Sequence, residues 1–508
     1  MFEMGEGRLA IQDPQVFQAW LHDMYELQRK ALRAATEESR GWIEAIRVGS
    51  RVENQAAAAQ LVAIGELFRH RLAHSGETED WAIDTMEAVA AEVAAGLKIS
   101  QGRACDRLVL ARALSERLPR TGAVLRAGLI DVAAFATIVF RTDLITDPEI
   151  LALVDERVAA NVARWPSLTA ARLAKKVDAI VARVDADAVR RRKERNTDRE
   201  LVIGEDQDGV SSVEGRVRTT DAHALDASLS ALAATVCPHD PRTHQQRRAD
   251  AIGALAARAT RLACLCGRTD CTAGARRPAS PVIIHVIAEQ ATLNGTGNTA
   301  AAEIGANGLI TADLVAELAQ SAHLVPLIHP GYSPPEPQYR PSTALVDFVR
   351  ARDLTCRFPG CDTAATHCDL DHTIAYAAGG ATHAGNLKCL CRKHHLIKTF
   401  WGWRDQQLPD GTLIWTSPAG DTHVTTPGSA LLFPSLCHAV GGIPTPETVA
   451  DQDYCTERTA MMPKRRRTRA QDRDYRVAAE RQHNRQARQP AYVNNADPTP
   501  PCNDPPPF

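Results

Sequence analysis

Apolar residues recur at three- and four-residue steps through the first third of the chain. Phe17, Trp20, Leu21, Met24 and Leu27 make one such face, and residues 52–72 carry a second pattern. This period predicts helices across 15–166. Within that span, Ala94, Leu97, Ile99 and Ser100 have the spacing of a helix-turn-helix near 90–110, with Ser100 placed to cap the second helix. Either Arg103 and Arg107 face DNA from a recognition helix, or two helices simply pack. A further helix starting near Pro166 ends in the basic run 190–195, which either touches phosphates or is a solvated helix end. After Asn196 the period shortens. Residues 201–203 and 213–217, separated by 206–209, predict a β-hairpin; 221–236 return to helix, and the β-branched run 281–287 predicts another strand. Residues 328–341 are rich in proline and glycine and mark a boundary. Ser342 then opens a helix with Leu345, Phe348 and Val349 on one face. Residues 402–404 and 411–415 alternate as two strands around Asp410-Gly411.

These patterns predict a mainly α N-terminal domain with a small β-sheet over 1–330. A proline-rich linker at 331–341 follows, then a small domain at 342–427, and a basic, proline-rich tail at 446–508 that is disordered by composition. The tail either tethers DNA through its cations or is dispensable. Trp401, Trp403 and Trp415 either stack on bases or cover a small core.

Composition narrows this picture. The 508 residues allow two or three domains, and a net charge of −2 gives no global basic field for nucleic acid. Neither a basic-then-apolar leader nor an apolar run near the ~20 residues of a membrane span is visible, which argues against membrane partners. Thirteen cysteines, an odd number clustered at turn spacings, suggest metal ligands and free thiols in a reducing cytoplasm.

The chemistry concentrates between Cys356 and Lys398. Cys356 and Cys361 form one thiolate pair; Cys391 and His394 form another. Pairs at turn spacing suit a tetrahedral structural zinc, which also supplements the core of so small a module. Asp371, His372 and His395 remain once those four ligands are used, and with Asn386 nearby they suggest a second metal site with one imidazole free as a base. Cys389 is either a substitute ligand or a buried thiol. Farther upstream, Cys264, Cys266 and Cys271 fall within eight residues, and Cys237 or His239 would complete a possible second zinc site; the alternative is unliganded thiols.

The order D-H, then N, then H-H, framed by these cysteine pairs, resembles the HNH endonuclease motif of the ββα-metal fold. The longer string RARDLTCRFPGC…CDLDH…GG…NLKCLCRKHHLIKT, then WGWR and DGTLIWTSP, resembles the HNH-signature proteins of the 13E12 repeat family, which carry a long N-terminal domain of unknown function. The resemblance implies a zinc-stabilised ββα-metal (HNH) domain that cuts DNA to 5′-phosphate and 3′-hydroxyl ends. It implies His372 as general base, and Asp371 and His395 as holders of a catalytic Mg²⁺, Mn²⁺ or Ni²⁺. Asn386 either ligates that cation or ties the loop that orients the histidine. Lys388, Arg392, Lys393 and Lys398 are either placed to meet phosphates or merely solvated. The competing reading is a DNA-binding or regulatory protein in which the HNH fold is a scaffold that cuts nothing. Helices in the N-terminal region also allow a homodimer, which would suit a double-strand cut.

Overall fold

The computed structural model describes residues 14–33, 37–165, 168–190, 200–207, 210–273, 285–297, 301–303, 309–319, 322–441 and 461–488. In chain order the helices are α1 (Pro14–Arg33), α2 (Glu37–His74), α3 (Thr85–Leu97), α4 (Gln101–Arg112), α5 (Pro119–Arg126), α6 (Val132–Thr142), α7 (Pro148–Val162) and α8 (Ala170–Ala182). They continue with α9 (Thr219–Ala233), α10 (His244–Ala256), α11 (Gln290–Leu293), α12 (Ala312–Ala319), α13 (Thr343–Asp353), α14 (Arg392–Phe400) and α15 (Arg469–Gln486). The chain is thus mainly helical with small sheets, as its periodicity predicts. It forms two compact units.

Unit 1 contains Met1–Arg69, Arg107–Arg190 and Asp474–Phe508. Its core is aliphatic. Leu61 and Phe68 of α2, Leu108 of α4, Phe135 and Ile138 of α6, Val154 and Val158 of α7, and Val177 and Val181 of α8 are all buried. Asp155 of α7 is buried too, because its carboxylate accepts from the backbone N–H groups of Arg120 and Thr121 (2.8 and 2.9 Å) and caps α5. Gly128 has a φ of +74°, and a Cβ there would lie 2.5 Å from the carbonyl oxygen of Arg51, so the turn after α5 excludes other residues. The apolar face expected on α1 forms on a helix, but Trp20, Met24 and Leu27 are exposed.

Unit 2 contains His70–Asp106 and Arg191–Arg473. It holds the predicted hairpin, β1 (Glu200–Gln207) antiparallel to β2 (Val210–Arg216). A second small sheet joins β3 (Val286–Ile287), β4 (Ala301–Glu303) and β5 (Leu309–Ile310). Residues 281–284 of the predicted strand, and 191–195 of the basic run, lie outside the described residues. The C-terminal module begins with α13, capped by Ser342 through the N–H of Leu345. Next come β6 (Cys368–His372) and β7 (Leu387–Cys391), antiparallel with Asp371 opposite Lys388, and then α14. A meander of β8 (Arg404–Gln407), β9 (Leu413–Thr416) and β10 (Thr422–Thr425) completes it.

The core of this module is continuous. Phe348, Phe358, Leu387, Leu390, Ile397, Trp403, Leu413 and Trp415 pack together with Ile83, Ala91 and Ala95 from the α3 region. Trp403 and Trp415 are therefore core residues, and Trp401 donates to the Ile83 carbonyl (3.2 Å). Beneath them lies an ionic lock. Asp353 accepts from Arg352 Nε (2.8 Å), Arg357 Nη1 (2.9 Å) and the N–H of Cys389 (2.8 Å). Arg352 also donates to the carbonyls of Ala384 and Leu387, and Arg357 to those of Gly411 and Thr425.

Two expected boundaries move. The segment 331–341 is no spacer, because Glu336 bridges to Thr382 and Tyr339 stacks on His372 at 5.3 Å. The tail is not disordered over 469–486, where α15 forms. In unit 2, Lys464 pairs with Asp80 (2.6 Å) and Arg469 with Glu87 (2.6 Å), so these cations are spent on acidic groups near the start of α3. In unit 1, Arg481 pairs with Asp185 (2.7 Å), and the buried Asn484 donates to the carbonyls of Asp187 and Val189.

Candidate functional site

Four ligand atoms converge where the zinc pairs were expected. Those of Cys356, Cys361, Cys391 and His394 all lie within 4.8 Å of one another. His394 Nδ1 is 3.2 Å from Cys391 Sγ and 3.6 Å from Cys356 Sγ, and the N–H of Cys391 donates to Cys356 Sγ. Cys391 ends β7 and directly precedes α14, so one sharp turn presents both members of that pair. Phe358 stacks flat on the His394 ring at 4.1 Å. Burial lowers the His394 pKa, but the Cys361 and Cys391 sulfurs outweigh it and raise the value. Cys368 and Cys389 stay outside the cluster as buried thiols aimed at backbone carbonyls.

The other face of His394 meets the helix-turn-helix. Lys98 adopts the left-handed conformation (φ 54°) and breaks α3 from α4, and Ser100 caps α4 through the N–H of Arg103. Gln101, the first residue of α4, accepts from His394 Nε2 at 2.8 Å and donates to Glu87. With Nε2 carrying the proton, Nδ1 is left as the ligand atom. Gly360, φ +73°, lies so close to Ile99 that a Cβ would meet its carbonyl at 2.8 Å. A recognition helix reads bases with its N-terminal residues; here the first of them, Gln101, is engaged by His394 and braces the cysteine–histidine cluster. Arg103 remains exposed, while Arg107 bonds to Gln60.

Asp371 lies on the adjoining strand. Its Oδ2 accepts from Lys388 (2.7 Å) and Lys398 (2.6 Å), while its Oδ1 is 3.4 Å from His395 Nε2. Both ammoniums also pair with Asp405 of β8, at 2.7 and 3.1 Å, so the four charges balance. Burial alone would raise the Asp371 pKa; Lys388, Lys398 and His395 override it and hold the carboxyl well below the usual range. His395 Nδ1 is 3.0 Å from Asp369 Oδ2. The ring is thus oriented by one aspartate and offers its other nitrogen beside a second.

His372 and Asn386 are next in the motif. His372 is buried, stacked on Tyr339, edge-on to Tyr376, with Nε2 3.1 Å from Thr382 Oγ1. Burial lowers its pKa and outweighs the opposing pull of Asp371. Asn386 is fully engaged by backbone: its Oδ1 accepts from the N–H of Ile374 (2.8 Å) and its Nδ2 donates to the carbonyls of Ile374 and Ala381. It ties the loop between β6 and β7. The same loop needs Gly380, where a Cβ would fall 1.8 Å from the Ile374 oxygen.

The lysines expected to meet phosphates separate into two groups. Lys388 is fully buried between Asp371 and Asp405, and Lys398 is bonded to the same carboxylates and to the His372 carbonyl (2.8 Å). They act inside the site and are not surface cations, because two buried aspartates require two counter-charges. Arg392 remains exposed beside Asp369, and Lys393 is half-exposed, 3.2 Å from Glu87. Sequence reasoning missed Asp369, Asp405, Thr382 and Gln101. Only Asp369 left a local signal: it stands two residues before Asp371, hence on the same side of β6.

Upstream, Cys237, Cys264, Cys266 and Cys271 also converge within 4.8 Å; His239 is not among them. Among the described residues these two clusters are the groups of four cysteine or histidine side chains whose ligand atoms converge, whereas Asp371 and His395 offer a pair of donors; no helix among the described residues is long and apolar enough to cross a membrane.

The architecture is therefore a helical region joined to a ββα unit with a cysteine–histidine cluster. The chain belongs to the DUF222 family, a domain of unknown function, whose model matches residues 48–353. It is similar to the uncharacterized protein Rv3776 of Mycobacterium tuberculosis, with 43% identity over 88% of this chain and 91% of that one. Rv2100 of the same organism, also uncharacterized, is 43% identical over 86% of each chain. No solved structure matches.

Proposed function

We propose that the protein is a metal-dependent HNH endonuclease that hydrolyses DNA phosphodiester bonds to 5′-phosphate and 3′-hydroxyl ends. The observation that carries this reading is the paired donor set of Asp371 Oδ1 and His395 Nε2, 3.4 Å apart, with Asp369 behind the imidazole. Adjacent ligands of a six-coordinate ion at bond lengths of about 2.1 Å are roughly 3 Å apart, so the pair fits a divalent cation. A carboxylate on the far ring nitrogen is the usual support of a metal-bound histidine. Such a cation, Mg²⁺, Mn²⁺ or Ni²⁺, stabilises the charge that develops on the phosphate and leaving oxygen. His372 accepts the proton of the attacking water, and its depressed pKa keeps it neutral and ready to do so. Asn386 holds the loop that carries Thr382 against it. Lys388 and Lys398 occupy Oδ2 of Asp371 and leave Oδ1 for the cation. The three cysteines and His394 hold a structural zinc, with no position left for substrate. Arg392, exposed beside Asp369, and Lys393 of the same helix are surface cations suited to DNA phosphates.

The test is supercoiled-plasmid cleavage with each cation, comparing wild type with His372→Ala and His395→Ala. Metal-dependent nicking or linearisation should fall about 10²–10⁴-fold in His372→Ala. Cleavage unchanged in both variants would overturn the assignment. DNA binding by band shift without cleavage under any cation would favour the non-cutting scaffold.

A further inference from the structure

The cysteine cluster upstream of the ββα unit takes no part in that chemistry. We propose that Cys237, Cys264, Cys266 and Cys271 bind a structural zinc ion of their own, a tetrahedral four-thiolate site that locks the α9–α10 helical hairpin. The inference stands independently of the nuclease reading.

Three observations carry it. The four sulfurs lie within 4.8 Å of one another, and Cys264 Sγ is 3.5 Å from Cys237 Sγ. Zinc–sulfur bonds of about 2.3 Å place the sulfurs of a tetrahedron roughly 3.8 Å apart, so each pair reaches that spacing with a change of about 1 Å or less. The backbone carrying the sulfurs is fixed without help from them. Leu262 donates to Thr235 Oγ1 (2.9 Å), Leu265 donates to Asp240 Oδ2 (2.9 Å), and Arg242 donates to the Ala263 carbonyl (2.6 Å). Gly267, at φ +67°, then turns the chain so that Cys271 returns to Cys264 and Cys266, with the N–H of Cys271 donating to the Arg268 carbonyl.

The local core explains why a metal belongs there. Apart from Cys264 it consists of Leu232, Val236, Ala251, Ala254 and Leu262, with Leu229 and Leu255 at its margin. That is little apolar surface for two helices and a 17-residue excursion from α10 to Ala273. Small cores of this kind gain their stability from a cross-link or a metal. With four protein ligands the site is closed, so its role is structural, with no open position for catalysis.

Two measurements test the site. The full-length protein, purified under reducing conditions, should contain about two zinc ions per chain, one per cluster. Cys264→Ser/Cys266→Ser should lose one, and Cys356→Ser/Cys391→Ser should lose the other. A variant that fails to fold is bypassed by the second measurement, alkylation of the wild-type protein mapped by mass spectrometry. Cys237, Cys264, Cys266 and Cys271 should resist modification until a strong chelator is added, then react together. Rapid alkylation of these four before chelation would overturn the proposal. So would a disulfide between any two of them while the other cluster keeps its zinc, or unchanged zinc content in Cys264→Ser/Cys266→Ser.

Discussion

His394 and His372 show how a neighbouring side chain sets what an imidazole can do. His394 gives Nε2–H to Gln101, which leaves Nδ1 for the cysteine cluster. Partners of this kind typically change metal affinity 10- to 100-fold. Gln101→Leu should therefore weaken zinc retention by about that factor, read by competition with a chromophoric chelator. Gln101→Glu, which keeps the acceptor, should retain more; equal affinity in all three proteins would leave Gln101 as packing alone. His372 makes the opposite adjustment. Its pKa is lowered by burial, so the neutral base persists to lower pH than in a free histidine. The acid limb of the cleavage rate should be centred below about pH 6.5 and flat above neutrality. A limb centred above 6.5 would remove His372 from the base role.

At the scale of elements, Asp353 is where α13, β7 and the β8–β10 meander are joined. Its carboxylate is buried and shared by two buried guanidiniums and a backbone N–H. Asp353→Ala leaves two cations without their counter-charge and should cost about 3–5 kcal/mol, measured by urea unfolding. A loss below about 1 kcal/mol would mean that the lock relaxes without it. The pH dependence follows from the same contacts. Burial raises the Asp353 pKa, but Arg352 and Arg357 override it; Asp371 is likewise held down by its lysines. A carboxylate whose folded pKa lies below its unfolded value of ~3.9 contributes fully above that value. The contribution is lost as pH falls further, so unfolding should steepen below about pH 4. A midpoint flat from pH 5 to pH 3 would contradict both carboxylates.

At the scale of the whole chain, each unit is assembled from distant segments. Unit 2 brings residues 70–106 together with the ββα module, and residues 461–473 close over the start of α3 through Arg465 and Arg469. Arg465→Ala/Arg469→Ala should lower the thermal midpoint of unit 2 by about 2–4 °C and speed proteolysis near residue 461. Unchanged cleavage would show that the pairs do not hold this segment. The family match ends at Asp353, three residues before Cys356. Yet Gln101, well inside the matched region, supports a ligand of the cysteine–histidine cluster, so the two parts of the chain are one structural unit there.

What the sequence alone determined follows from short-range geometry. Turn spacing brought Cys356 near Cys361 and Cys391 near His394, and the helix period marked α13 and the α3–α4 pair. The two-residue strand period placed Asp369 and Asp371 on one side of β6. These relations survive because backbone geometry fixes them within a few residues. Only the tertiary structure decided the rest. Lys388 looked like a phosphate contact because Asp405, its second counter-charge, lies on another strand. Arg103 and Arg107 suggested a base-reading helix, because the contact that Gln101 of the same helix makes with His394, 293 residues away, leaves no local trace. The tail looked disordered by composition, since nothing local reveals that Asp80, Asp84 and Asp185 await its cations. Neutralising a buried charge depends on what the packed chain brings within about 4 Å, and no local period in the sequence encodes that distance.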